Sequence, residues 1–330
     1  GSTDGEVSYS DDGGETFTEL DEDVPKASNS DVTVAFDTYF DTNDVIYAAT
    51  AGGTDNGIYQ WVIGESTSWM DLKAEPLESQ LGILVGDDDP VNVHFTGLVV
   101  DRPGNPFTSA DNGGVIYASY VGDYMSTIFT GVARSLERLV TVCTTCLTWD
   151  FLHVGLGLEM DKEDFEATPD ALKICGCLTA DTNSKLFALD DGWSDYDMVD
   201  GIEGALWTFE DCYAKKAPET TAPEDGAVIP ADPCSCYSVP FTLTWDPLCD
   251  ACYYEIQFAL DEDFDMLIGV NGKTPAQLAF EEIEGDVPSF SIMGGPAGQL
   301  SCEQTYYWRV RASKAATEQV IHSWWSDGYF

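Results

Sequence analysis

The chain has 330 residues, with 14 Lys+Arg against 59 Asp+Glu and a formal net charge of -45. A polyanion of this size repels nucleic acid and anionic membrane surfaces, so neither is expected as a partner. Hydrophobic residues make up 44% of the sequence, which is a globular content and not that of an acidic tail, and the length allows two domains with their own cores.

The first readable stretch is Ser10-Asp11-Asp12-Gly13-Gly14-Glu15-Thr16-Phe17. Asp12 is placed to accept backbone N–H groups, and Gly14 gives the backbone freedom of a tight turn. Ser10 and Thr16 add hydroxyl bonds, and Phe17 is expected to plug into the core as it opens the next strand. The pattern Ser-x-Asp-x-Gly-x-Thr-Phe resembles the Asp-box, the hairpin signature of bacterial neuraminidase repeats and other β-propellers.

Strand signals follow in order. Val32–Phe36 alternates apolar and polar, Val45–Thr50 is a short apolar run, and Gly57–Val62 is a third strand. Gly64–Trp69 reads as a decayed Asp-box with Trp69 in the place of Phe17. The second unit comprises 91–101, 114–120, 128–135 and 139–151, and its Val115-Ile116-Tyr117-Ala118 repeats Val45-Ile46-Tyr47-Ala48. The third uses 171–178, 185–189 and 205–209, without an obvious last strand. The leading hairpin closes the third unit, or the chain is part of a longer protein, or another subunit supplies strands. The only helical stretches read are 162–167 and 275–282.

Residues 216–227 have the Pro, Thr and acidic content of a linker. Beyond it Phe241–Trp245, Tyr254-x-Ile256-x-Phe258 and Tyr306-x-Trp308-x-Val310-x-Ala312 alternate strictly. Over 228–330 this resembles a fibronectin type III domain, which implies a core of Trp245, Tyr254, Ile256, Trp308 and Val310, with Arg309 and Arg311 outward near Glu255. The expected fold is therefore all-β: small or partial propeller-like blades with Asp-box hairpins over 1–215, a linker over 216–227, and a fibronectin type III-like sandwich over 228–330.

The ten cysteines are Cys143, Cys146, Cys175, Cys177, Cys212, Cys234, Cys236, Cys249, Cys252 and Cys302. Close Cys pairs can hold zinc. With only three His in a β-rich acidic chain, disulfides are the better reading, and they imply an extracellular setting. The pairing does not follow from the sequence, and Cys neighbours in sequence can bond across strands. No apolar run reaches the roughly 18 residues of a membrane-spanning helix, so no membrane insertion is expected. The opening Gly-Ser-Thr reads as a processed or truncated start.

Catalytic groups are thinly represented. An Asp-box sialidase requires three convergent arginines, and Arg102, Arg134 and Arg138 are poorly spaced for that. Two-carboxylate hydrolysis cannot be judged among 59 acidic residues. No nucleophile elbow or phosphate loop occurs. Oxygen-rich runs at Asp87, Asp88 and Asp89, and at Asp191, Asp195 and Asp197, are candidate Ca²⁺ ligands; no other cofactor is expected. The expectation is a structural or adhesive extracellular protein without enzymatic activity, a self-assembling surface-layer or filament subunit. Its partners are copies of itself, other surface proteins or glycans, and the first ~20 residues complete a sheet in a neighbour. The alternatives are a carbohydrate- or protein-binding module and a propeller glycosidase.

Overall fold

The structure is a computed structural model, and it describes residues 5–25, 31–51, 56–72, 74, 92–102, 114–124, 127–136, 149–151, 169–175, 183–190, 205–232, 236–249, 251, 253–278, 281–283, 288–313 and 322–330. It is all-β, as expected: six small antiparallel sheets among the described residues, and one four-residue helix, α1 (Phe40–Asn43). Two compact units divide the chain, Gly1–Asp211 and Cys212–Phe330.

Unit 1 opens with the hairpin β1 (Ser8–Tyr9) and β2 (Thr18–Glu19), which pair only with each other among the described residues. A four-stranded meander follows: β3 (Asp31–Phe36), β4 (Val45–Ala51), β5 (Ile58–Val62) and β6 (Met70–Asp71). The next sheet repeats it with β7 (Asn92–Asp101), β8 (Val115–Tyr124), β9 (Thr127–Ser135) and β10 (Asp150–Phe151). The third holds β11 (Pro169–Cys175), β12 (Ser184–Asp190) and β13 (Ala205–Asp211). Tyr47 pairs with Gln60, Tyr117 with Arg134 and Phe187 with Thr208, so the sheets share one register.

The first two four-stranded sheets bury residues on both faces, which is why β4 reads as an apolar run and not as an alternation. Val45, Tyr47, Ala49 and Ile58 pack forward on Val93, Phe95, Ile116 and Ala118 of the second sheet. Ile46, Ala48, Tyr59 and Trp61 pack backward on Val7, Leu20 and Val24 of the leading segment.

Unit 2 holds a three-stranded sheet and a larger one. The first is β14 (Thr220–Ala222), β15 (Phe241–Trp245) and, later in the chain, β19 (Ser289–Ile292). The second runs β17 (Leu267–Ile268), β16 (Tyr253–Ala259), β20 (Tyr307–Ser313) and β21 (Ser326–Tyr329), with β18 (Glu281–Glu282) also on β16. Trp245 joins the two, with ring centroids 5.2 Å from Tyr254 and 6.3 Å from Trp308; all three are fully buried, as are Ile256 and Val310.

Residues 216–227, read above as a linker, carry β14, and the carbonyl of Lys216 accepts from Trp324 N–H. The helix expected over 275–282 is a single 3₁₀ turn at Pro275–Gln277 followed by β18. Pro275 suits the first position of such a turn, and pairing of Glu281 and Glu282 with β16 ends it. The helix expected over 162–167 lies outside the described residues.

Candidate interaction face of the blade-like unit

The Asp12 turn is built from its own four neighbours. Asp12 Oδ1 accepts from the N–H groups of Glu15 and Thr16, both at 2.9 Å, and Oδ2 accepts from Thr16 Oγ1 at 2.7 Å. Ser10 Oγ donates to Asp12 at 2.7 Å and accepts from Gly14 N–H at 2.7 Å. The Thr16 and Ser10 bonds hold the Asp12 carboxyl far below the usual carboxylate range. Gly13 and Gly14 both lie at positive φ, 77° and 93°, which the turn requires.

The hairpin docks on its own chain. Leu20 N–H donates to Val7 C=O, and Trp69 donates from its backbone N–H to Glu22 Oε2 and from its indole to Glu22 C=O. The expectation that the first ~20 residues complete a neighbour's sheet is thereby corrected: Val7, Leu20 and Val24 are consumed in the core with Trp61 and Trp69. Phe17 also departs from expectation. It is 69% exposed, whereas its counterpart Trp69 is 7% exposed. Trp69 has the hairpin on its outer side, and no described sheet lies beyond Phe17.

Polar ties join successive sheets at equivalent positions. Gly114 and Ser184 each stand at the entry to a second strand. Gly114 N–H donates to Asp37 Oδ2 at 3.0 Å, and Ser184 Oγ donates to Asp101 Oδ2 at 2.6 Å. Asp37 also accepts from Tyr47 O–H at 2.9 Å and from Tyr39 N–H at 2.8 Å. A Cβ at Gly114 would lie 2.2 Å from Val100 Cγ1, so only glycine fits that approach. Between the second and third sheets Arg134 donates to Asp150 and Asp211, and Tyr117 O–H donates to Asp211 at 3.1 Å. Burial works against the Arg134 charge, but the two carboxylates outweigh it and hold the guanidinium above its usual range. Burial, then Asp211, pushes the Tyr117 hydroxyl up. Sequence reasoning missed the ties between sheets because their partners lie 77 to 94 residues apart.

Arg134 is thus engaged inside the core and unavailable to a substrate carboxylate. Arg102 lies over the Tyr39 ring at 5.4 Å, and Arg138 lies outside the described residues. The calcium candidates Asp87, Asp88, Asp89, Asp191, Asp195 and Asp197 also lie outside them, and no metal-binding group of three or more His, Cys, Asp or Glu occurs among the described residues.

In unit 2 the disulfides Cys212–Cys249 and Cys236–Cys302 join turns and bends distant in sequence. Cys143, Cys146, Cys177, Cys234 and Cys252 are outside the described residues, and Cys175 ends β11. Trp325 lies between the guanidiniums of Arg309 and Arg311 at 4.4 and 4.5 Å, while Arg311 binds Glu255 and Arg309 binds Gln257. This stack is satisfied internally. Among the described residues no helix is long and apolar enough to cross a membrane.

No family model and no curated protein matches the chain. Among solved structures it is similar to an exo-1,5-alpha-L-arabinanase from a bovine ruminal metagenomic library, at 11% identity over 90% of this chain and 95% of that one, with a TM-score of 0.28. The expectation that the chain has no enzymatic activity is corrected on this finding: the solved structure found is an enzyme, so absence of catalysis is not carried forward.

Proposed function

We propose that the chain is a building block of an extracellular assembly, in which unit 1 makes the contacts between copies and unit 2 is a fibronectin type III-like spacer stapled by disulfides. The observation that carries this reading is the leading hairpin. It has the register of the outer half of a blade, Tyr9 with Thr18 as Gln60 with Met70, yet β1 pairs only with β2 among the described residues and Phe17 stands exposed beside it. Open strand edges and uncovered aromatic residues on an ordered scaffold are features of association surfaces. Two disulfides agree with an oxidising compartment. Calcium, held by the runs at 87–89 and 191–197, is proposed as the ion that tolerates so much negative charge in one assembly.

Electron microscopy of native material, with and without a calcium chelator, tests this reading. Ordered filaments or sheets support it, and their loss on chelation supports the calcium sites. Dispersed particles in both conditions overturn it. The same preparations are to be incubated with arabinan and a polysaccharide panel, since release of sugar would establish a hydrolase.

A further inference from the structure

The stack of sheets in unit 1 ends in two faces of opposite kind, and the geometry points to their packing on one another between copies of this chain, head to tail. This deepens the assembly reading and rests on it.

Within the chain, each interface sets a forward face on a backward face. The forward face of the first sheet carries Val45, Tyr47 and Ile58, and these meet Val93, Phe95 and Ile116 of the second sheet. The third sheet has the same forward positions. Leu206 pairs across from Leu189, and Thr208 from Phe187, so they lie where Ile58 and Gln60 lie in the first sheet. Ile58 is 0% exposed and its second-sheet counterpart Val132 is 1% exposed, but Leu206 is 62% exposed. Lys185 and Phe187 share this face, with the ammonium 5.7 Å from the ring. The opposite face of the third sheet, with Leu186, Ala188 and Asp211, is buried.

The leading end shows the converse. Val32, Val34 and Phe36 alternate onto the backward side of β3, where Val32 packs beside the hairpin core. Phe36 is 60% exposed and meets Phe40 edge to face with ring centroids 4.7 Å apart, and Val34 is also exposed. Phe17 and Glu19 share the outward side of β2, since Leu20 faces the core. Glu210 pairs directly across from Lys185 on the trailing face and balances its charge, so what the two ends share is an apolar shelf left open: Phe36 and Phe17 at the leading end, Leu206 at the trailing end.

A second copy is the occupant these features select. Its trailing face is of the kind that covers a leading face at both internal interfaces of this chain, where forward apolar positions such as Ile58 and Val132 are buried. Such a contact is heterologous, so it propagates or closes a ring and does not stop at a two-fold dimer. Two chains of charge -45 repel at long range, so salt screening strengthens the contact.

Sedimentation velocity of the full chain, from about 0.05 to about 1 M salt, tests this. The wild type is expected to associate with rising concentration and salt. Phe36→Asp and Leu206→Asp, both at exposed positions, should each abolish association with unchanged circular dichroism, while Met266→Asp on unit 2 should not. A mixture of the two deficient variants should recover a one-to-one complex, because one retains a sound trailing face and the other a sound leading face. If the wild type associates and both variants associate equally, the faces are wrong while the assembly reading stands. A wild type that stays monomeric throughout overturns both.

Discussion

Arg134 on β9 donates to Asp211 on β13 at 2.7 Å, and neither side chain reaches solvent. The same guanidinium reaches Asp150 on β10, so one cation ties the second sheet to the third. Two carboxylates in a buried site are tolerable only while that charge is present. Arg134→Met should cost about 3–5 kcal/mol of unfolding free energy. A urea titration followed by tryptophan fluorescence reads it, and a midpoint equal to wild type would mean the pair does not form.

Asp37 anchors the first sheet to the second. It accepts from the hydroxyl of Tyr47, from backbone N–H groups of Tyr39 and Gly114, and from the amide of Asn43. Tyr47→Phe removes one of the hydrogen bonds to the Asp37 carboxylate and should cost about 1.5 kcal/mol. Asp37→Ala leaves several buried donors unsatisfied and should cost at least about 2 kcal/mol. Thermal unfolding of the two variants should rank them in that order; the reverse order would show that the carboxylate is not the hub.

The Asp12 turn should respond to acid. The folded-state pKa of Asp12 is depressed by Thr16 and Ser10, so the turn's contribution is complete above the ordinary carboxylate pKa of 3.8 and is lost as pH falls through the lower folded value. Between pH 4 and 7 the turn should therefore be insensitive to pH. Carboxyl-carbon NMR of Asp12 should show no titration near 3.8; a midpoint there would contradict the bonding seen.

Reduction should act on unit 2. Cys236–Cys302 closes a 66-residue separation and Cys212–Cys249 one of 37. Replacing either pair by serine should cost about 2–5 kcal/mol. Calorimetry with and without reductant checks it, and an unfolding transition unchanged by reductant would mean that these bridges do not stabilise the fold.

Some of this was legible in the chain as written. The strands follow from period-2 alternation in unit 2, and in unit 1 from short apolar runs and the repeat of Val45-Ile46-Tyr47-Ala48 at Val115. The Asp12 turn was legible because all its bonds close within four residues. The exposure of Phe17 was not legible, because a residue in a core-type motif is covered only if another sheet lies beyond it. Nor was the strand at 220–222, whose Pro and Thr content reads as a linker until β15 pairs with it.

The sequence by itself determined the all-β class, the positions of most strands and the hairpin turn, since these depend on side-chain alternation and bonds between near neighbours. Only the tertiary structure decided which cysteines pair, that Arg134 joins two sheets, and which faces remain open. Those depend on the order in which sheets stack, and stacking brings together groups such as Gly114 and Asp37 that no local window contains.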